Sequence, residues 1–412
     1  MPAIYFLDVT NRDGVQTARI TLSKLQKTMV NYYLGQLGIH QSEAGFAYLR
    51  HEQAYLKANV ALHAQGAMGR LVLSSWARAV PGDVTASLPV GMRHMNLSIA
   101  TSDQHIMYKF RGKLDRESVI LEMVEAAQLA KASGIESLGV NAEDASRTDL
   151  GYLIEFAQAA KEAGADRFRY CDTVGPDDPL RAYQRVRRLA EAIKIPIEMH
   201  CHNDLGMAVA NSLSGARAAL DAGVDCHINT CVNGVGERAG NADLLGCLLG
   251  CVTSPEMREY PVADPLDLSV AYKLARYVAD AFNMPIPLNQ VGVGDNIFAH
   301  ESGIHADGAL KDRHNYELFD YELIGRDKDE VVPGGRTILT GEYGGMAGFL
   351  YVMNRLNVPV PDEHYARWLL ELVQYANLHN QMPLKDDELR FIAAHPAEVA
   401  QILTQTPTLS PE

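Results

Sequence analysis

The sequence has no C-x-x-C pair among its six cysteines, no surplus of basic charge, no low-complexity tract and no apolar run approaching the length of a bilayer. Each absence excludes something. Without paired spacing, Cys171, Cys201, Cys226, Cys231, Cys247 and Cys251 are not a zinc ribbon or a disulfide framework. They are expected as reduced, mostly buried thiols, and with no signal-peptide pattern a cytoplasmic protein is expected. A formal net charge of −14 argues against nucleic acid or an anionic membrane as the main partner. An anionic ligand would then need a local metal or arginine to hold it. The short apolar runs argue against a membrane span. What remains is an ordinary globular composition, 47% hydrophobic and 21% charged over 412 residues, long enough for one large domain and an appendage.

Short β-rich runs alternate with helical patterns. Strands are expected at 3–10, 38–46, 69–78, 94–101, 137–144, 167–175, 197–204 and 226–235. Amphipathic helices are expected at 116–134 and 148–164, each closed by a glycine, and at 178–193 and 206–223. Eight such repeats in about 250 residues predict an α/β fold, a (β/α)8 TIM barrel, over its rival, a doubly wound open sheet. Polar residues cluster where each strand stops: Arg12 and Asp13, Glu43, Ser102 and Asp103, Glu143 and Asp144, Asp172 and Thr173, His200 and His202, and 233–237. A barrel gathers those ends on one face, where its active site lies. After residue 255 the rhythm breaks. The expected division is a catalytic barrel over 1–255 and a smaller, mostly helical region over 256–412. That region holds helices near 268–283, 362–380 and 386–404 and a Gly/His-rich lid segment, and is expected to lie over a barrel mouth.

Three local patterns carry chemistry. In "MHCHND", alternation along a strand puts His200 and His202 on one face and Cys201 on the other. Such a pair is either a metal site or two surface histidines, and the strand's C-terminal end favours the metal. Asp13, at the end of the first strand, is the expected third ligand. Two imidazoles and a carboxylate leave coordination positions for a small chelating molecule such as a 2-oxo acid, on Mn²⁺, Mg²⁺, Zn²⁺, Co²⁺ or Fe²⁺. "NGVGERAGN", residues 233–241, is a glycine-rich turn suited either to close ligand approach or to a tight strand-to-helix connection. "HESGIHADG", residues 300–308, offers His305 on a loop as an acid/base group.

Together with "DVTNRDGVQ", residues 8–16, these segments resemble the Claisen-condensing metallolyases on a (β/α)8 barrel, a family that includes isopropylmalate, homocitrate and Re-citrate synthases. The resemblance implies that Asp13, His200 and His202 hold a divalent metal, Mn²⁺, Mg²⁺, Co²⁺ or Zn²⁺. It implies that Arg12 binds the ketone oxygen and that Thr173 binds the carboxylate of a 2-oxo acid. Glu143 and His305 would be the acid/base pair acting on acetyl-CoA, the co-substrate. Glu237 and Asn241 would line the site, and Tyr316 would accompany His305. A homodimer is implied, with C-terminal regions exchanged over the active sites.

One departure bears on the substrate. Relatives that use 2-oxoglutarate resemble one another in an R-x-S-x-E-D pattern before the fifth-strand glutamate, whereas this chain has Gly139 and Asn141 ahead of Glu143. A distal carboxylate without its guanidinium would be poorly paired. Oxaloacetate is therefore the expected 2-oxo acid, its second carboxylate on Asn141, Arg147 or Arg78, with citrate and CoA as products. Homocitrate synthesis from 2-oxoglutarate is the alternative. An acyl-CoA lyase of the same barrel and a non-catalytic homologue are more distant; the loop at 233–241 lacks the cysteine that such lyases carry.

Overall fold

The computed structural model describes residues 1–298, 308–309, 311–326, 346–380 and 384–403. Eight parallel strands close into one barrel in chain order: β1 (Ile4–Asp8), β2 (Gln41–Gly45), β3 (Val72–Arg78), β4 (His94–Ala100), β5 (Ser137–Glu143), β6 (Arg167–Asp172), β7 (Ile197–Cys201) and β8 (Cys226–Thr230). Pairing of β1 with β8, from Ile4 opposite Cys226 to Asp8 opposite Thr230, closes the sheet and excludes the open alternative. All eight expected strands are present, each shorter than its pattern. The last ends at Thr230 because Asn233 turns the chain at φ 57° and Gly234 at φ 66°.

Helices fill the connections, and their starts are local. Ser23 and Gln26 form a capping box at Lys24–Leu37. Asp115, Asp149, Asp178 and Asp243 each accept from a backbone N–H three residues on, opening Arg116–Ala132, Leu150–Glu162, Pro179–Ile193 and Leu244–Thr253. Each cap contributes about 1 kcal/mol. Apolar residues facing outward from the strands, among them Phe168, Tyr170, Met199 and Ile228, are buried against these helices. All six cysteines are free and buried.

The barrel interior departs from the usual packing of branched aliphatic layers. It holds a chain of ions instead. Arg12 Nε donates to Glu43 Oε2 (2.7 Å), Arg169 bridges Glu43 and Glu198, and Arg167 Nε donates to Glu198 Oε2 (2.8 Å). Asn96 joins the chain at both ends, donating to Glu43 (2.6 Å) and accepting from Arg167 (3.0 Å). Charges this deep persist only when fully paired. Burial raises the Glu43 carboxyl, but Arg169 and then Arg12 outweigh it and hold it at about 2. Its stabilisation is therefore complete above the ordinary glutamate range and is lost as pH falls through about 2. Arg169→Met would remove the cation shared by two buried carboxylates, leaving Glu43 with Arg12 and Glu198 with Arg167, and a loss of about 3–5 kcal/mol is expected in denaturant unfolding. A loss under 1 kcal/mol would show that the interior relaxes around the change.

Beyond the barrel, the expected helix at 268–283 is a 3₁₀ turn, Leu268–Val270, running into Ala271–Ala281. Helix Glu363–Asn380 matches its pattern. The expected 386–404 helix is two, Asp386–Ala394 and Pro396–Leu403, because Pro396 supplies no N–H and His395 before it leaves helical geometry (φ −133°, ψ 51°). These helices pack on the barrel's flank, against Lys24–Leu37 and Arg50–Ala64. Tyr33 and Tyr277 anchor them through Asp387 (2.9 Å) and Glu388 (2.7 Å). The described C-terminal helices thus sit beside the barrel. Within the Gly/His-rich segment, 284–308, residues 299–307 lie outside the described residues.

Candidate metal centre and active site

At the C-terminal mouth of the barrel, β1 and β7 bring three ligand-type side chains together. Asp13 Oδ2 lies 3.1 Å from His200 Nε2 and 3.8 Å from His202 Nε2. All three residues are buried, with ligand atoms within 4.8 Å of one another. The local fold explains the convergence. His200 is on β7, and His202, one residue past its end, bridges to Asn241 across the loop after β8. Asp13 follows β1 in a tight turn in which the N–H groups of Arg12, Asp13 and Gly14 all donate to Val9 O. A Cβ at Gly14 would stand 3.0 Å from a Val235 methyl, so the turn fits closely beneath the loop after β8.

The donor set fits a divalent cation. Asp13 Oδ1 and Asn241 Oδ1 are buried oxygens with no hydrogen-bond partner among the described residues, a costly arrangement for lone protein atoms. Burial, followed by His200, pushes His202 down to about 4, against the opposing pull of Asp13, so the imidazole is neutral and its lone pair available. Burial raises Asp13, yet Arg12 and then the two histidines hold it far below the usual carboxylate range. His200 Nδ1 meets Asn229 Oδ1 at 3.2 Å, which places the proton on Nδ1 and frees Nε2 for the metal. Asn229 in turn donates to Glu198, tying the ligand to the interior ion chain. Asn229→Leu is expected to weaken metal binding about 10–100-fold while leaving the fold intact. Titration with Mn²⁺ followed by calorimetry reads this, and an unchanged affinity would remove Asn229 from the account.

A cavity of about 260 Å³ opens over these residues, lined also by Arg12, Gln16, Trp76, Ser98, Lys109, Asn141, Glu143, Arg169, Cys171, Thr173, Glu237 and Arg238. Arg12 donates from Nε to Glu43 and from Nη1 to Asp13 (3.0 Å), with its guanidinium 5.6 Å from the Trp76 ring centroid. Nη2 makes no protein hydrogen bond among the described residues and can serve a ligand. Thr173 Oγ1 accepts from Asp144 N (2.8 Å), which leaves its hydroxyl proton for an anion. Lys109 Nζ contacts both oxygens of Glu143 at 2.6 Å, and His105 Nδ1 lies 3.4 Å from it. Burial raises Glu143, but the His105 hydrogen bond and then Lys109 keep it below its ordinary value, so it is ionised as a base must be. Hydrogen bonding assigns the Asn141 amide: its oxygen accepts from Trp76 Nε1 and Arg169 Nη1, both 3.3 Å, so its NH₂ is free to donate.

Arg12, Asp13, Asn141, Glu143, Thr173, His200, His202 and Glu237 therefore share one cavity, with Asn241 touching Asp13 at 3.5 Å. Others do not join them. Arg147 is clamped by Asp144 (2.7–3.0 Å) and Arg78 by Asp83 (2.7 and 2.8 Å), and neither lines the metal cavity. Tyr316 is half exposed, packed on Gly308, and is likewise absent from the lining. His305 lies outside the described residues. Sequence reasoning missed Lys109, Ser98 and Arg169. Arg169 had a readable signal, since it shares the inward phase of β6 with Cys171; Lys109, on the helix Asp103–Lys109 after β4, had none.

Comparison with known proteins places the chain. The HMGL-like family model matches residues 3–278, and the "Homocitrate synthase post-HMGL domain-like" model matches 293–380. The chain belongs to the HMGL-like family. Within the HMGL-like proteins it is similar to the citrate (Re)-synthase of Dehalococcoides mccartyi, 50% identical over all of both chains. It is also similar to 2-isopropylmalate synthase 2 of Caldanaerobacter subterraneus subsp. tengcongensis, 39% identical over 94% of each. Among solved structures, the HMG-CoA lyase from "Acenitobacter baumannii" in complex with coenzyme A and 3-methylmalate shares the fold. Its TM-score is 0.57 at 16% identity, covering 73% of this chain and 98% of the other. The HMGL-like match covers the barrel and the second model covers part of the appended region, and among the described residues no helix is long and apolar enough to cross a membrane.

Proposed function

We propose that this chain condenses acetyl-CoA with oxaloacetate, giving citrate and CoA at a divalent metal held by Asp13, His200 and His202. The observation that carries the choice of substrate is Gly139. It faces the barrel interior, where a Cβ would collide with Asn96 Oδ1 and meet Arg167 Nε at 3.4 Å. An arginine at 139, as the 2-oxoglutarate pattern requires, has no room because Asn96 and Arg167 already fill the space. The short pocket above is bounded instead by Ser98 and by Asn141, whose NH₂ is held outward by Trp76 and Arg169. Asn141 stands one inward position nearer the barrel mouth than residue 139, which suits the β-carboxylate of oxaloacetate, a single methylene closer to the ketone than the distal carboxylate of 2-oxoglutarate. The 50% identity with a citrate (Re)-synthase over full length supports the same reading.

When bound, the metal supplies a Lewis acid for the ketone and carboxylate oxygens of the 2-oxo acid. The chain does the rest. Thr173 donates to the substrate carboxylate, and Arg12 donates to the ketone oxygen and meets the negative charge that develops there. Glu143 takes a proton from the acetyl methyl group, after which the carbon nucleophile adds to the ketone carbon. Water then cleaves the thioester, releasing CoA. His305 is assigned the complementary acid role, and Tyr316 and the exchange of C-terminal regions in a cytoplasmic homodimer belong to the same proposal. The division into a catalytic unit at 1–255 and an appended region at 256–412 does so too.

The test is a comparison of kcat/KM for oxaloacetate, 2-oxoglutarate, 2-oxoisovalerate and pyruvate, each with acetyl-CoA and Mn²⁺. Oxaloacetate is expected to lead by at least about 100-fold, the scale set by one well-paired or unpaired polar group. A lead by 2-oxoglutarate would reject the proposal. Gly139→Arg is expected to lower stability and oxaloacetate turnover without creating 2-oxoglutarate activity.

A further inference from the structure

Glu143, the proposed base, is clamped. Lys109 Nζ contacts both of its carboxylate oxygens at 2.6 Å, and His105 Nδ1 lies 3.4 Å away. Burial acts to raise the carboxyl, but the His105 hydrogen bond and then Lys109 hold it below its ordinary value. It is ionised, yet an ammonium seated across both oxygens makes it a poor acceptor for a proton from a carbon acid. We propose that Lys109 switches partner from Glu143 to the distal carboxylate of the 2-oxo acid, so that arrival of the dicarboxylate releases the base; this rests on the proposed function.

Among the described residues, Arg12, Lys109, Arg169 and Arg238 are the cations that line the metal cavity. Three of them have fixed partners. Arg169 is buried between Glu43 and Glu198, Arg238 is held by Asp204 (2.9 Å), and Arg12 is held by Glu43 and Asp13. Of the four, Lys109 alone is paired with a group whose charge changes in the reaction. When the methyl C–H bond breaks, its proton goes to the Glu143 carboxylate and its electron pair to the thioester enolate. Glu143 is then neutral, and Lys109 keeps an anionic partner only if the substrate supplies one. The β-carboxylate of oxaloacetate has the matching need, since Ser98 and Asn141 offer it hydrogen bonds but no charge.

The fold puts the switch within reach. Ser98 pairs with Asn141 and Ala100 with Glu143 along β4 and β5. The proposed carboxylate subsite and the base are thus successive inward positions on β5, about 6.6 Å apart along the strand. Lys109 is the last residue of the helix Asp103–Lys109, and its side chain is 50% exposed. Its flexible four-carbon stem can therefore carry the ammonium from one anion to the other, as a forked guanidinium could not. A 2-oxo acid without a distal carboxylate offers Lys109 no second partner, which makes the same residue a selector for dicarboxylates.

The test uses the full chain with Mn²⁺ and malate, which keeps both carboxylates but cannot accept the carbon nucleophile. Lactate is the probe that lacks the distal carboxylate. Wash-in of deuterium from D₂O to the acetyl methyl of acetyl-CoA, followed by mass spectrometry, reports release of the base. In the parent, malate is expected to speed wash-in at least about tenfold, and lactate less than about twofold. Lys109→Met is expected to show wash-in without malate as fast as with it, and faster than the parent alone. In calorimetry its Kd for malate should rise at least about tenfold, while that for lactate stays within about twofold. Glu143→Gln, which leaves Lys109 unengaged, should bind malate more tightly than the parent and show no wash-in. Parent wash-in that malate does not alter overturns the proposal. So does weaker malate binding in Glu143→Gln, or a malate Kd in Lys109→Met within about twofold of the parent. If malate gates wash-in in the parent alone but oxaloacetate gives no citrate, the substrate assignment fails and the switch of Lys109 stands. If citrate forms and wash-in is ungated, the proposed function stands and the switch falls.

Discussion

His200→Ala is expected to lose metal and turnover together. Nε2 of His200 lies 3.1 Å from Asp13, and its Nδ1 is fixed by Asn229, so no neighbouring imidazole can swing into its place. Two ligands and the unpaired Asn241 oxygen would remain, too few to hold a divalent ion against water. Activity should fall on the order of 10³-fold or more, since the ketone loses its Lewis acid and its template at once. The fold should survive, because the substitution leaves the interior chain from Arg12 to Arg167 intact. Metal content by mass spectrometry, circular dichroism and a thiol-release assay check the three parts. Retained metal with full turnover would remove Asp13, His200 and His202 from the chemistry. Retained metal without turnover would make His200 an acid/base group instead of a ligand.

Arg12→Gln is the second large effect, and it separates binding from chemistry. The proposed task of Arg12 is to meet charge that appears only as the new carbon–carbon bond forms. Its loss should therefore lower kcat by about 10²–10³-fold, with a much smaller change in the KM for oxaloacetate. Arg12→Lys should rescue little, because an ammonium cannot reach Glu43, Asp13 and a ligand oxygen from one planar fork. Glu43 would keep Arg169 as a partner in either variant, so stability should fall by less than in Arg169→Met. An unchanged kcat in Arg12→Gln would assign the developing charge to another group.

The barrel was legible because its evidence is repetitive. Each strand and its following helix carry their own signal, and the polar residues at successive strand ends agree with one another. The metal trio was legible for the same reason, since alternation alone puts His200 and His202 on one face. The charged interior was not foreseen, although the phase that aims His200 and His202 inward also aims Glu198 inward on β7. Barrel interiors are usually aliphatic, and a lone inward glutamate in sequence does not announce its partners. Arg147 and Arg78 are cations near strand ends, which in sequence makes them candidates for the distal carboxylate. Their partners Asp144 and Asp83, three and five residues away, claim them in the fold, and such local pairing is invisible to a search for free charge. Lys109 is the reverse case. Nothing in "IMYKF" marks it, and only the approach of the helix after β4 to the end of β5 sets it on Glu143.

The most direct measurement is a competition in one vessel. Protein loaded with Mn²⁺ is given limiting acetyl-CoA and equal concentrations of oxaloacetate and 2-oxoglutarate, and the products are counted by mass spectrometry against CoA released. One citrate per CoA, with homocitrate a minor product, is the predicted result. Homocitrate in excess over citrate would contradict the account.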